Sequence, residues 1–179
     1  RISEKGAALL AETADPASNI PAWMIDGWRA AYGEETAGRI ATASLGEAAL
    51  DITLKDPAAA DHWAGELASI ILPTGTLRRA SGGRIEDLPG YSAGEWWVQD
   101  AAASLPARLI GAKPGDRVLD LCAAPGGKTA QLPSLGAEVT ALDVSFDRLE
   151  RLRANLDRLQ LEARTVPGDA TTWRGGVVF

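Results

Sequence analysis

Asp120-Leu121-Cys122-Ala123-Ala124-Pro125-Gly126-Gly127-Lys128-Thr129 is the stretch that decides the fold. It follows the apolar run Arg117-Val118-Leu119-Asp120-Leu121, so it reads as a strand entering a small-residue turn and then a helix. A strand-to-helix turn at the carboxyl edge of a parallel sheet is where such folds take their ligands. Three ligand classes compete for it. A phosphate loop ends in Gly-Lys-Thr, as Gly127-Lys128-Thr129 does, but it needs a glycine where Cys122 stands. Pro125 also removes a backbone donor from a turn that would offer N–H groups to phosphates. A dinucleotide fingerprint needs Gly-x-Gly-x-x-Gly, and the only glycines here, Gly126 and Gly127, are adjacent. S-adenosylmethionine carries no phosphate. It asks only for a turn small enough to lie against the backbone and for carboxylates that accept from ribose hydroxyls.

The sequence downstream supplies those carboxylates. AEVTALD reads as a second strand ending at Asp143, about 20 residues beyond the turn, where ribose-binding acids of such folds stand. ARTVPGD is a third short strand, closing at Asp169. Between them DRLERLRANLDRLQL is a helix, with Leu149, Leu152, Leu156 and Leu159 on one face. Strand and helix alternate from Asp116 onward, which predicts a Rossmann-like, doubly wound parallel sheet over 101–179. The last residues, Val177-Val178-Phe179, read as the start of a further strand.

Upstream the grammar differs. Residues 1–14 predict a short helix, and PAWMIDGWRAAYGEETAGRIATASL predicts two more, the first entered at Pro21 and stopped at Gly33. Trp23 and Trp28 read as core residues. Ala49-Leu50-Asp51-Ile52-Thr53-Leu54 alternates as a half-buried strand does, and a helix carrying Trp63, Leu67 and Ile70 follows. Short strands or turns are expected at 71–72, 76–77 and 84–85, a strand at Trp96-Trp97-Val98, and a helix over AAASLPARLIGA. The expected division is an N-terminal helical segment over 1–44, a small α+β module over 45–100, and the α/β part beyond.

Composition narrows the class. With 46% hydrophobic and 23% charged residues the chain is globular, and no run approaches a membrane span or a signal peptide. One cysteine, Cys122, excludes an internal disulfide and a cysteine-ligated zinc site, and no metal is expected. A cytoplasmic location and a monomer are the expectations. The net charge of −6 argues against a broad phosphate-gripping surface, though it allows a local basic face.

CAAPGGKT, then ALDVSFDRLERLRANLDRL, then GDAT, together resemble the cofactor half of the Nop/Sun (Fmu/Sun) family of RNA cytosine-5 methyltransferases. NIPAWMIDGWRAAYG resembles the segment preceding that core in members specific for ribosomal RNA, and the likeness covers most of residues 19–173. The resemblance implies S-adenosylmethionine as cofactor and ribosomal RNA as partner. Cys122, Ala123, Ala124, Pro125, Gly126, Gly127 and Lys128 would wrap its methionine part, Asp143 would hold the ribose, and Asp169 would lie by the adenine. Arg148 would support the fold, and the module over 45–100 would be RNA-binding-like. In this family a cysteine thiolate adds to cytosine C6 so that C5 can take the methyl group. The resemblance places that cysteine downstream of Phe179, so Cys122 is expected to serve the cofactor loop and no catalytic residue is assigned in this chain.

Three expectations concern RNA. Lys55, Arg78, Arg79 and Arg84 can form a basic patch on the module, and one of Trp96 and Trp97 can be exposed for base stacking, although packing between the module and the core accounts for both. The arginines of the 146–159 helix read as a mixed-charge solvated face. The alternatives to an RNA methyltransferase are a methyltransferase of this fold acting on a protein or small molecule, and an inactive RNA-binding or assembly module that retains the cofactor fold.

Overall fold

The computed structural model describes residues 15–175, so the helix expected over 1–14 and the strand expected at 177–179 lie outside it. The chain divides into two compact units, Arg1–Ala48 and Ala49–Phe179.

In the first unit, α1 (Ala22–Tyr32) and α2 (Glu34–Ser44) form a helical pair hinged at Gly33. Gly33 sits at φ +81°, a left-handed conformation that glycine adopts without penalty, and it closes one helix and opens the next. Ile25, Ala37 and Ala41 make the small core, with Trp28 packed against it. Trp23 is 74% exposed, which corrects the core reading. Two side chains five residues apart on a helix point about 140° away from each other, so only one of the pair faces the partner helix.

The second unit opens with the small module: β1 (Leu50–Leu54), α3 (Ala60–Glu66), β2 (Ile70–Ile71), β3 (Leu77–Arg79) and β4 (Trp96–Val98). The strands run antiparallel in the order β2-β3-β1-β4. The helix expected to carry Trp63, Leu67 and Ile70 shrinks to a 3-10 turn, Pro57–Ala59, and seven α-helical residues, and Ile70 opens β2 instead; Arg84-Ile85 leads into another 3-10 turn, Ile85–Asp87.

β1 is buried along its whole length, not half-buried. Leu50, Ile52 and Leu54 pack with Leu67, Leu77 and Trp96 on one face, under Trp63, Leu88 and Tyr91. The other face carries Asp51, Thr53 and Trp97, and it is covered as well. Trp97 packs on Ala130 and Leu159, which belong to the parallel-sheet part. Apolar–polar alternation predicts solvent on the polar face, and here a second layer of the protein takes that place.

α4 (Ala101–Ile110) follows, capped by Asp100, whose carboxylate accepts from the Ala102 and Ala103 N–H groups, and closed by Gly111 in the left-handed region. Then come β5 (Arg117–Leu121), α5 (Gly127–Ser134), β6 (Glu138–Asp143), α6 (Phe146–Leu159) and β7 (Arg164–Pro167). The three strands are parallel in the order β5-β6-β7. This is the expected Rossmann-like sheet. α6 buries Leu149, Leu152, Leu156 and Leu159, is capped by Ser145, and ends at Gln160 in the left-handed region. Ala141 of β6 and Ala123 and Ala124 of the turn pack against its first two leucines.

The two parts of this unit share buried polar contacts. Asp51 takes a bidentate ion pair from Arg78, 2.7 Å on each oxygen, and accepts from the Ala101 N–H at the start of α4. Gln99, just past β4, donates to Gln131 of α5 at 2.6 Å, and Gln131 donates to the Ser104 carbonyl of α4. Arg158 of α6 donates to the carbonyls of Tyr91 and Trp96 and lies over the Tyr91 ring at 4.0 Å. Lys55 donates to the Leu159 carbonyl. Among the described residues no helix is long and apolar enough to cross a membrane.

Candidate cofactor site

Residues 122–126 turn sharply between β5 and α5. Cys122 sits at φ +60°, is exposed, and starts the turn. The Ala124–Pro125 peptide is cis, and Gly126 sits at φ +106°. A Cβ on Gly126 would lie 3.0 Å from Leu152 Cγ, so the position needs glycine for space as well as for backbone angle. Ala123 and Ala124 are buried, and Lys128 is exposed on the first turn of α5.

The backbone donors of the turn are largely committed. The Ala123 N–H donates to the Leu142 carbonyl at 2.9 Å, and the Ala124 N–H donates to Asp143 Oδ2 at 3.0 Å. Pro125 has none. Three consecutive positions therefore offer nothing to a phosphate.

Asp143, the last residue of β6, is 2% exposed. Besides the Ala124 N–H it accepts the Ser145 N–H at 3.0 Å, and Arg148 Nη1 lies 3.8 Å from Oδ2. Arg148 Nη2 also donates to the Ala124 carbonyl. The Ser145 N–H, then the Ala124 N–H and the Arg148 charge, hold this carboxyl below the ordinary carboxylate value against the opposing effect of burial. Asp143 registers with Pro167 of β7, and the Gly168 N–H donates to the Asp143 carbonyl, so Asp169 follows on the neighbouring strand end. Asp169 is exposed; its carboxylate accepts from the Thr171 hydroxyl and N–H, which hold it below the ordinary value. The structure brings the turn, Asp143 and Asp169 to one sheet edge.

Further groups at this edge escaped the sequence reading. Asp120, inside β5, accepts from Thr129 Oγ1 at 2.6 Å, and burial pushes its carboxyl above the ordinary value despite that bond. Lys128 and Asp143 act on it with opposite sign. Its signal was an acid in an otherwise apolar strand. Val144 and Phe146, 75% and 58% exposed, flank Asp143 as an apolar lip, and their signal was two large apolar residues in a strand-to-helix turn. A cleft of about 820 Å³ lies at the opposite edge around Gly136, Glu138, Gln160 and Arg164. That is the amino edge of a parallel sheet, away from the ligand side.

Two members of the basic patch expected on the module are built into the fold, while Arg84 stays exposed. Arg78 is paired with buried Asp51, Lys55 is bonded to Leu159, and Arg84 lies 3.5 Å from Asp87. Trp96 and Trp97 are both buried, at 0% and 4% exposure, so neither stands ready to stack a base. On α6 only part of the arginine set is solvated: Arg153 pairs with Glu150, while Arg148 and Arg158 are built into the fold.

The family model described as 16S rRNA methyltransferase RsmB/F matches residues 107–177, so the resemblance drawn from CAAPGGKT is borne out over this stretch. Ribosomal RNA small subunit methyltransferase B of Pseudomonas putida is 46% identical over 101 residues, a match that takes in 53% of this chain and 23% of that protein. The chain thus spans less than a quarter of the curated relative it matches. Among solved structures, that of PH0851 superposes with a TM-score of 0.73 at 23% identity, covering 85% of this chain and 37% of that one. NSun6 from Pyrococcus horikoshii, solved with SFG, gives 0.66 at 18% identity, covering 84% of this chain and 66% of that one. At these identities the two structures establish a shared fold.

Proposed function

We propose that this chain is the cofactor-holding part of an S-adenosylmethionine-dependent methyltransferase that modifies cytosine C5 in small-subunit ribosomal RNA. The observation that carries the cofactor is the donor-poor turn: Ala123 and Ala124 have their N–H groups engaged, Pro125 lacks one, and carboxylates crowd the same edge. An anionic triphosphate meets no free backbone donor at 123–125 and several carboxylates at that edge. A ligand with a sulfonium and an amino group meets the charge it needs.

The residues present fit that group. Gly126, which must stay bare against Leu152, lets the turn bend sharply before α5, and Cys122 and Lys128 are exposed at its two ends to border the methionine part. Asp143 has a lone pair left on each oxygen for ribose hydroxyls. Val144 and Phe146 offer apolar surface to the adenine, next to Asp169. When bound, the cofactor supplies an electrophilic methyl group. Cys122 stays on the cofactor side of the turn, and the thiolate that adds to cytosine C6 is assigned to the part of the enzyme beyond this chain. The ribosomal RNA substrate rests on the RsmB/F family match and on the named relatives.

Calorimetric titration tests the site. The chain is expected to bind S-adenosylmethionine and S-adenosylhomocysteine but not ATP, and Asp143→Ala to weaken binding by roughly tenfold or more, from loss of a charge-assisted acceptor. Heat with ATP, or unchanged affinity in the variant, would refute the assignment.

A further inference from the structure

Arg148 stands on the first turn of α6 and reaches back across the site. One arm of its guanidinium donates to the Ala124 carbonyl, and the other lies 3.8 Å from Asp143 Oδ2. Asp143 in turn accepts the Ala124 N–H. Both polar groups of a single turn residue, Ala124, are therefore held by one charged pair, its carbonyl by Arg148 and its N–H by Asp143. The arginine side chain is 52% exposed while its partner is 2% exposed, so the pair straddles the surface at the mouth of the turn. Arginine suits this place because its planar fork bonds two acceptors at once, which an ammonium does with poorer geometry.

We infer that Arg148 is a positioning residue for the cofactor: it sets the Ala124–Pro125–Gly126 turn and orients the Asp143 carboxylate beside it, and it acts through these two groups without being assigned a contact of its own with the ligand. The inference rests on the cofactor reading above. Arg148 on α6 acts on Asp143, Asp143 and Lys128 at the start of α5 act on Asp120 of β5, and Asp169 follows β7. Removing Arg148 takes a positive charge away from the carboxylate, while the Ser145 and Ala124 N–H groups still hold it.

The test compares wild type, Arg148→Gln and Arg148→Lys in the 179-residue chain. S-adenosylmethionine affinity is measured by calorimetry across a pH series, and amide exchange is measured without ligand. Arg148→Gln is expected to weaken binding on the order of tenfold, to move the acid limb of the affinity profile to higher pH, and to speed exchange at Ala124 and Ser145 while Ile52 in β1 keeps its protection. Arg148→Lys is expected to restore the pH limb but only part of the affinity. Wild-type affinity, pH profile and exchange in Arg148→Gln would overturn the inference. So would global loss of protection in both variants, which would make Arg148 a structural post. If wild type binds no S-adenosylmethionine, the cofactor reading fails; the exchange arm, which uses no ligand, still decides whether Arg148 braces the turn.

Discussion

At the level of single residues, three aspartates at one sheet edge behave differently because their surroundings differ. Asp143 is stabilised as an anion, first by the Ser145 N–H, so its contribution to stability is present above the unfolded value of 3.8 and is lost as pH falls through the lower folded value. Asp120 is the reverse case. Its folded value is raised by burial, so the folded state holds this proton more tightly than the unfolded chain does, and stability drops as pH climbs from 3.8 through the folded value. Asp120→Asn keeps an acceptor for Thr129 and removes that drop. Urea midpoints measured from acid to neutral pH are expected to depend less on pH in the variant, and to equal or exceed wild type at neutral pH; a lower neutral midpoint would contradict this. Asp143 and Asp169 were legible as strand-ending acids because strand ends can be counted along a chain. Asp120 was not, since its burial depends on α5 folding over β5 and bringing Thr129 to it.

Among the elements, β1, β4 and α6 carry the lesson about the module. Strand positions could be read from alternation, but what covers each face could not, because the covering residues lie 30 to 60 positions away, as Trp97 with Ala130 and Leu159 does. The same distance hid the fate of the basic residues: Arg78 faces Asp51 across a strand pair, and Lys55 bonds a carbonyl 104 residues on. β1 and the two tryptophans of β4 are sandwiched between the module's own helix and the parallel-sheet part, while the edge strand β2 stays exposed. Gly94 marks how tightly the two sides meet. At φ +73°, its missing Cβ would sit 2.0 Å from the Arg158 carbonyl oxygen. Gly94→Ala is expected to cost about 3 kcal/mol or more, from backbone strain and a displaced α6. A thermal melt within a degree or so of wild type would show that the seam yields easily.

For the whole molecule, the notable division is between Arg1–Ala48 and Ala49–Phe179, with module and parallel sheet together in the second unit. Gln99, Gln131 and Ser104 join β4, α5 and α4 by buried hydrogen bonds, and a buried network left half-made costs about 1–3 kcal/mol per orphaned group. Module and sheet are therefore expected to unfold in one step: far-UV dichroism and exchange protection at Ile52 and Ala141 should be lost at the same urea concentration. Separate transitions would show the module to be an independent domain. The strand–helix alternation after Asp116 was readable because parallel sheets require it. The fusion of the module to that sheet was not, since no local pattern records a contact between surfaces that meet only after both have folded.

Trp97 stands dry at that seam, while Trp23, in the other unit, faces water. The protein thus carries its own optical gauge. Trp97 is the indole that water reaches when the joint opens, so a red shift on opening that a Trp97→Phe variant does not show reads the joint without attaching a dye.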